Sequence, residues 1–148
     1  MGVQPGFNAR AEAALDVWDI MTRTFTTLTR QANTNSWTGL SPTEWAVLTH
    51  LYRHGIESMA KISQTISITT GNVTYVVDKL VERGLVRRQP CAEDRRVIYA
   101  VLTDKGRQLM DEWFPTYVVK VEAMLSSKLS AEELATLKVL LTKLGTSA

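Results

Sequence analysis

Four charged side chains stand side by side at Glu93, Asp94, Arg95 and Arg96, inside the stretch PCAEDRRVIYAVLTDKG from Pro90 to Gly106. An arginine on a narrow hairpin can reach into the minor groove of duplex DNA, where negative potential is focused. Two adjacent guanidinium groups splay unless something orients them, and Asp94 is spaced to hold one by a bidentate bond. The bland alternative is a polar hairpin tip with a surface ion pair that contributes little.

A second constellation lies just upstream. Val73, Val76, Val77 and Leu80 recur as one apolar stripe of a helix expected over Thr69 to Arg83. At 100° per residue, Gly71 and Tyr75 then lie nearly opposite the stripe, flanked by Asn72, Thr74 and Lys79. Thr70 falls near the helix N-terminus, where unpaired backbone N–H groups also point. Small hydrogen-bonding groups of this kind can enter a major groove about 12 Å wide and read base edges. Gly71 costs helix stability, ~1 kcal/mol relative to Ala, which close approach of the backbone to DNA would offset. Solvated helix residues beside a loop are the alternative.

Other chemistries find less support. Cys91, the single cysteine, sits in sequence beside Arg88 and the tip arginines, which could favour its thiolate; an inert surface thiol is the alternative. His50 and His54 are spaced i, i+4, but HLYRH lacks the glutamate of a zinc protease helix. With two His and one Cys, no nucleophile–base–acid set, metal-ligand spacing or phosphate-cradling glycine loop is present. The expectation is a non-enzyme with no cofactor and no metal.

The elements that must position these residues follow from hydrophobic period and capping signals. A first helix is expected from about Asn8 to Asn33, carrying Ala11, Leu15, Trp18, Met21, Phe25 and Leu28 at helical spacing. NTNSWTG breaks it. In LSPTEW, Ser41 is an N-cap, Pro42 occupies the first helical position and Glu44 completes a capping box, with Leu40 and Trp45 as a staple. Short helices follow at about Ser58–Gln64 and Thr69–Arg83, the second closed by Gly84 and stapled by Ile68 and Val73. LVRRQ and RVIYAVL flank the charged tip as a hairpin, with Val97, Tyr99 and Val101 on one face. Thr103 caps a helix reaching about Ser127 and kinked at Pro115, and Ser130 with Glu133 opens the last helix, stapled by Leu129 and Leu134. The order is ααααββαα, mainly α with a small β-hairpin wing: two short helices and a hairpin make a winged helix-turn-helix.

Composition agrees. The 148 residues are 45% hydrophobic and 22% charged, enough for one domain with a modest core. Net charge is only +2, yet Arg53 to Arg107 carries ten basic and six acidic residues, against seven and nine elsewhere. A basic centre between acidic flanks fits a polyanion contact. No apolar run approaches the ~18 residues of a membrane span, and the N-terminus lacks a signal-peptide pattern, so a cytoplasmic protein is expected.

The stretch VTYVVDKLVERGLVRRQPCAEDRRVIYAVLTDKG resembles the multiple antibiotic resistance regulator (MarR) family of bacterial winged-helix repressors. VDKL, RGLVRR, DRR and LTDKG match in register, and the helix order extends the resemblance over nearly the whole chain. The resemblance implies one domain over 1–148, with a winged helix-turn-helix lobe at 36–103 and helical dimerisation segments at 1–35 and 104–148. It implies that Asp94 orients Arg96 for the minor groove, that Arg95 meets phosphate, and that Thr69, Thr70, Gly71, Asn72, Thr74, Tyr75, Lys79 and Arg88 belong to the DNA-binding surface. Ser63 and Ser67 depart from the usual Ala and Gly of the motif, and both are small.

Family members pair as two-fold dimers, so a homodimer on a pseudo-palindromic double-stranded DNA operator is expected. Apolar residues surplus to a lone winged helix supply the interface: Phe7, Leu15, Trp18 and Phe25 early, and Trp113, Phe114, Tyr117, Val118, Val121, Leu125 and the final leucine stripe late. Such regulators often bind small aromatic effectors between the two lobes, which makes Trp18, Trp37, Trp45, Trp113 and Tyr117 candidate ligand contacts. The wing resembles a quinone- and phenol-responsive branch. The function implied is a sequence-specific transcriptional regulator, a repressor released by a small phenolic ligand. The alternatives are a thiol or quinone sensor acting through Cys91, or a winged-helix protein-interaction module.

Overall fold

Capping chemistry sets the helix boundaries. In the computed structural model, which describes residues 6–66 and 73–145, Asn8 Oδ1 accepts from the Ala11 N–H at 2.9 Å and opens α1 (Ala9–Ala32). Ser41 Oγ accepts from Glu44 N–H at 3.1 Å while Glu44 Oε1 accepts from Ser41 N–H at 3.2 Å, the full capping box of α3 (Pro42–His54). Leu40 and Trp45 beside it are both buried, as a staple requires. Thr103 caps α6 (Asp104–Ser126), whose span runs through Pro115. Ser130 and Glu133 make the second reciprocal box, at α7 (Ala131–Gly145).

Between α3 and α6 lie α4 (Met59–Ile66), α5 (Val73–Glu82), β2 (Val86–Pro90) and β3 (Ile98–Leu102). Val73, Val76, Val77 and Leu80 of α5 are all buried, as their spacing required. The helix closes where Leu85 N–H donates to Leu80 C=O at 3.0 Å and Gly84 N–H to Val81 C=O at 2.9 Å. That Schellman pattern needs a left-handed residue, and Gly84 has φ +73°. Residues 67–72, and with them Ile68 and the first residues of the expected helix, lie outside the described residues.

The order ααααββαα needs two additions. Within NTNSWTG, read as a break, α2 (Asn35–Thr38) forms a single turn, held by Thr38 Oγ1 donating to Thr34 C=O at 2.6 Å and ended by Gly39 at φ +73°. Ser58, expected to begin a helix, instead lies in β1 (Glu57–Ser58), which pairs antiparallel with Tyr99 and Ala100. Its hydroxyl still accepts from Lys61 N–H at 3.2 Å, so it caps α4 from within the strand. The hairpin is thus part of a three-stranded sheet of order β1-β3-β2. Alternation sends Ala100 and Leu102 onto the helices and Val97, Tyr99 and Val101 to the other face.

The core gathers Leu40, Leu48 and Leu51 of the α3 region, Ile62, the α5 stripe, Leu85, Val86, Ala100 and Met110. It passes Thr103 into α6, so the winged lobe and α6 share one interior. α1 and α7 contribute no buried residue. Exposed instead are Phe7, Leu15, Trp18, Ile20 and Phe25 early in the chain and Val139, Leu140, Leu141 and Leu144 in α7. Trp113, Phe114 and Tyr117, expected on the exposed interface, pack against the core within the chain, because α6 lies on α3.

Candidate nucleic-acid interface

The hairpin tip is built by two backbone bonds, Cys91 N–H to Val97 C=O at 2.9 Å and Val97 N–H to Asp94 C=O at 3.0 Å. The turn places Asp94 under Arg96. Oδ1 accepts from the Arg96 backbone N–H at 3.0 Å and from its Nε at 3.1 Å, and Oδ2 accepts from Nη2 at 3.2 Å. The Arg96 side chain remains 91% exposed. Its guanidinium, then its backbone N–H, holds the Asp94 carboxyl below its ordinary value, and burial opposes them. A fork already oriented toward solvent loses less entropy on meeting an anion than a free one. Arg95 is exposed beside it.

On α5, Tyr75 and Thr74 face outward. Lys79 Nζ lies 4.8 Å from the centroid of the Tyr75 ring, one helical turn away. Its hydrogen bond to Tyr75, then the charge of that group, raises the Lys79 pKa. Thr69, Thr70, Gly71 and Asn72 lie outside the described residues. Arg88 is engaged within the chain: its Nη2 forms an ion pair with Asp78 Oδ1 of α5.

The start of α6 fastens the end of α5. Thr103 Oγ1 donates to Gly84 C=O at 2.6 Å, Lys105 Nζ donates to Arg83 C=O at 3.0 Å, and Thr103 N–H donates to Leu85 C=O at 3.1 Å. Gly106 allows this approach, since a Cβ there would stand 2.1 Å from the Leu85 carbonyl oxygen.

Farther along α6, four aromatics meet. Ring centroids of Trp37 and Trp45 are 5.8 Å apart, Trp37 and Trp113 6.1 Å, Trp45 and Trp113 6.4 Å, and Trp45 and Tyr117 5.2 Å. The Nε1 atoms of Trp37 and Trp45 are buried with no hydrogen-bond partner. Trp18 does not join them: it is 62% exposed on α1. Its helical spacing with Phe25 marks an apolar face, not proximity to the other rings. Phe114 extends the cluster, its ring 6.0 Å from that of Tyr117, and Tyr52 follows at 5.1 Å from Phe114. Adjacency to Trp113 is the sequence signal for Phe114, and a place on the apolar face of α3 with Val47, Leu48 and Leu51 is the one for Tyr52. Tyr52 donates to Asp111 Oδ1 at 2.7 Å, and that bond, then burial, raises its pKa.

Cys91 is half-buried and meets Tyr99 across the hairpin. The charge of an ionised Cys91, then burial and the hydrogen bond between the two, pushes the Tyr99 phenol up. His50 Nε2 lies 3.6 Å from Glu57 Oε2, and its ring is 4.9 Å from that of His54. Among the described residues no group of three or more His, Cys, Asp or Glu is placed to hold a metal ion, and no helix is long and apolar enough to cross a membrane.

Residues 40–98 match the model of the MarR family. The chain is 36% identical over 135 residues to the uncharacterised HTH-type transcriptional regulator YkoM of Bacillus subtilis (strain 168), covering 90% of this chain and 87% of that protein. It is 34% identical over 138 residues to the HTH-type transcriptional regulator MhqR of the same organism, covering 93% and 94%. The chain belongs to the MarR family. It is therefore a DNA-binding transcriptional regulator and not an enzyme. The fold agrees with that of Sco3205, a MarR family regulator from Streptomyces coelicolor solved in complex with DNA, at TM-score 0.77 and 22% identity over 97% of this chain and 91% of that one. The MarR resemblance carried by VDKL, RGLVRR, DRR and LTDKG thus extends to the whole arrangement of helices and wing.

Proposed function

We propose that the protein is a homodimeric repressor that binds a pseudo-palindromic operator and leaves it when a small aromatic acid or phenol is bound. The carrying observation is the pre-oriented Arg96 fork, exposed at the wing tip and held by Asp94. In this reading Arg96 enters the minor groove and Arg95 meets phosphate. Tyr75, Lys79 and Thr74, with Thr69, Thr70, Gly71 and Asn72, read the major groove. The lobe at 36–103 carries these contacts, and 1–35 with 104–148 carries dimerisation. A dimer is supported by the exposed apolar faces of α1 and α7, too extensive for a monomer in water. A cytoplasmic location goes with access to the operator.

The aromatic cluster supports the effector. Two buried indole N–H groups without partners are costly to leave unpaired, and a carboxylate or phenolate among these rings would accept from them. A ligand releases DNA only through its differential affinity for the two dimer states. Wedged among Trp37, Trp45, Trp113 and Tyr117, it would shift α6 against α3 and change the spacing of the two recognition helices.

A second reading rests on the half-buried Cys91 beside Tyr99: oxidation of the thiol would disturb the wing. One experiment separates them. DNA recovered by the purified protein serves as operator in a mobility-shift assay with salicylate, with Trp fluorescence read in parallel. The effector reading expects quenching and operator release together, preserved in Cys91→Ser. Loss of the response in Cys91→Ser, with no effect of simple phenols, establishes the thiol sensor instead. Binding insensitive to salt would defeat both and return the wing to a protein partner.

A further inference from the structure

Strand register decides where the paired arginines of β2 point. Arg88 pairs with Ala100 and Val86 with Leu102, and directly opposed residues share a face. Ala100 and Val86 are buried in the helical core. Arg88 therefore leaves the strand on the side of α5. Arg87 leaves on the other side, where its Nη1 donates to Gln89 Oε1 at 3.0 Å. Asp78 follows Val77 of the buried α5 stripe, at the edge of the helix that packs against β2. The two side chains meet there as a direct ion pair.

We propose that Arg88 is a positioning residue and not a phosphate contact: with Asp78 it sets the angle of the wing to the recognition helix. The inference rests on the DNA-binding reading of α5 and the wing. The side chains are 39% and 45% exposed, so the pair adds little to the stability of the fold. That stability has other sources in the buried stripe and the Gly84 closure. What the pair does is restrict one degree of freedom. Arg96 and the face of α5 sit on separate elements and must reach neighbouring grooves together, and a wing free to rock loses affinity to the entropy of fixing it. Electrostatics alone makes the opposite forecast, because an acid on a DNA-facing helix repels phosphate.

The test uses Asp78→Asn, Arg88→Gln, the double variant and the exchange Asp78→Arg with Arg88→Asp. Each is titrated by fluorescence anisotropy against the recovered operator across a salt series, with thermal melting as the folding control. The clamp expects Asp78→Asn to weaken operator binding about fivefold, although it removes a negative charge. Arg88→Gln loses the same factor, the double variant loses no more than either, and the exchange recovers to within about twofold. Salt slopes and melting midpoints stay near those of the unmodified protein. Asp78→Asn binding as tightly as, or more tightly than, the unmodified protein overturns the clamp. So does a salt slope lowered by about one unit in Arg88→Gln alone, the mark of a lost phosphate contact. Failure of the unmodified protein to retain any recovered duplex overturns the DNA-binding reading, and the clamp with it.

Discussion

Gly106→Ala should destabilise this protein, although the same change in an ordinary helix interior stabilises by ~1 kcal/mol. Gly106 is buried in the first turn of α6. A Cβ there would stand 2.1 Å from the Leu85 carbonyl oxygen, 3.0 Å from its carbonyl carbon and 3.1 Å from Leu102 Cδ2. Two of these atoms are backbone and cannot swing aside. Ordinary contact requires the helix and the start of β2 to separate by about 1 Å. That separation pulls on the Thr103 bonds to Gly84 and Leu85 and on the Lys105 bond to Arg83. Overpacking costs about 1–3 kcal/mol and the three weakened hydrogen bonds together about 2 kcal/mol; helix propensity offsets ~1 kcal/mol. The net expectation is a loss of about 2–4 kcal/mol, read as a lower midpoint in urea unfolding followed by circular dichroism. Operator affinity should fall as well, since the stretched bonds hold the end of α5. A G106A protein as stable as the original, or more so, would refute the argument, because local propensity would then outweigh the close approach.

Arg96→Ala should weaken operator binding at least tenfold without altering the melting midpoint, whereas Arg95→Ala should lower the salt slope by about one unit and leave sequence preference intact; equal and negligible effects would remove the wing from the interface. Asp94 should titrate below the ordinary 3.8 in the folded protein; a depressed folded value means its hold on Arg96 is complete above that ordinary value and is lost as pH falls through the lower, folded one. Carboxyl carbon shifts measured by NMR check this, and an unchanged Asp94 titration in Arg96→Ala would show that the arginine is not the cause. Replacing Leu137 and Leu141 with Asp should give monomers or insoluble protein in sedimentation analysis, because both lie on the exposed face of α7; a monodisperse monomer of the unmodified protein that still binds the operator would rule out the dimer.

What the sequence discloses depends on how local the cause is. Ser41, Pro42 and Glu44 act within one helical turn, so their capping box is legible, and so are Thr103, Ser130 with Glu133, and Gly84. The stripe of α5 is legible because valines and a leucine at helical spacing leave one choice of face. The Asp94–Arg96 fork spans two residues: spacing is enough to expect that Asp94 holds one guanidinium, and the family resemblance is what selects Arg96 over Arg95. β1 is not legible: two residues carry no period, and Glu57 and Ser58 become a strand only by pairing with Ala100 and Tyr99, far along the chain. Register is likewise hidden, so proximity in sequence groups Arg88 with the tip arginines when its face turns it to Asp78. Trp18 shares the apolar spacing of its helix but not the neighbourhood of the other tryptophans, which depends on how α6 lies on α3.

The placement of α6 also bears on how an effector could act. Its first turn holds the carbonyls of Arg83, Gly84 and Leu85 through Thr103 and Lys105, at the end of α5. Two turns on, Asp111 accepts from Tyr52 of α3, and Trp113 and Tyr117 lie against Trp45. One continuous helix thus touches both the proposed ligand contacts and the proposed recognition helix. Under the proposed function, coupling needs no chain of intermediaries: a ligand among the rings shifts α6, and α6 carries the end of α5 with it. Close-packed interiors favour two discrete arrangements over continuous deformation, so the ligand selects between them by its difference in affinity alone. Gly106 lies between the two contacts. If close packing there transmits the shift, G106A should lose effector response more completely than operator binding, a ratio readable from one set of titrations with and without salicylate.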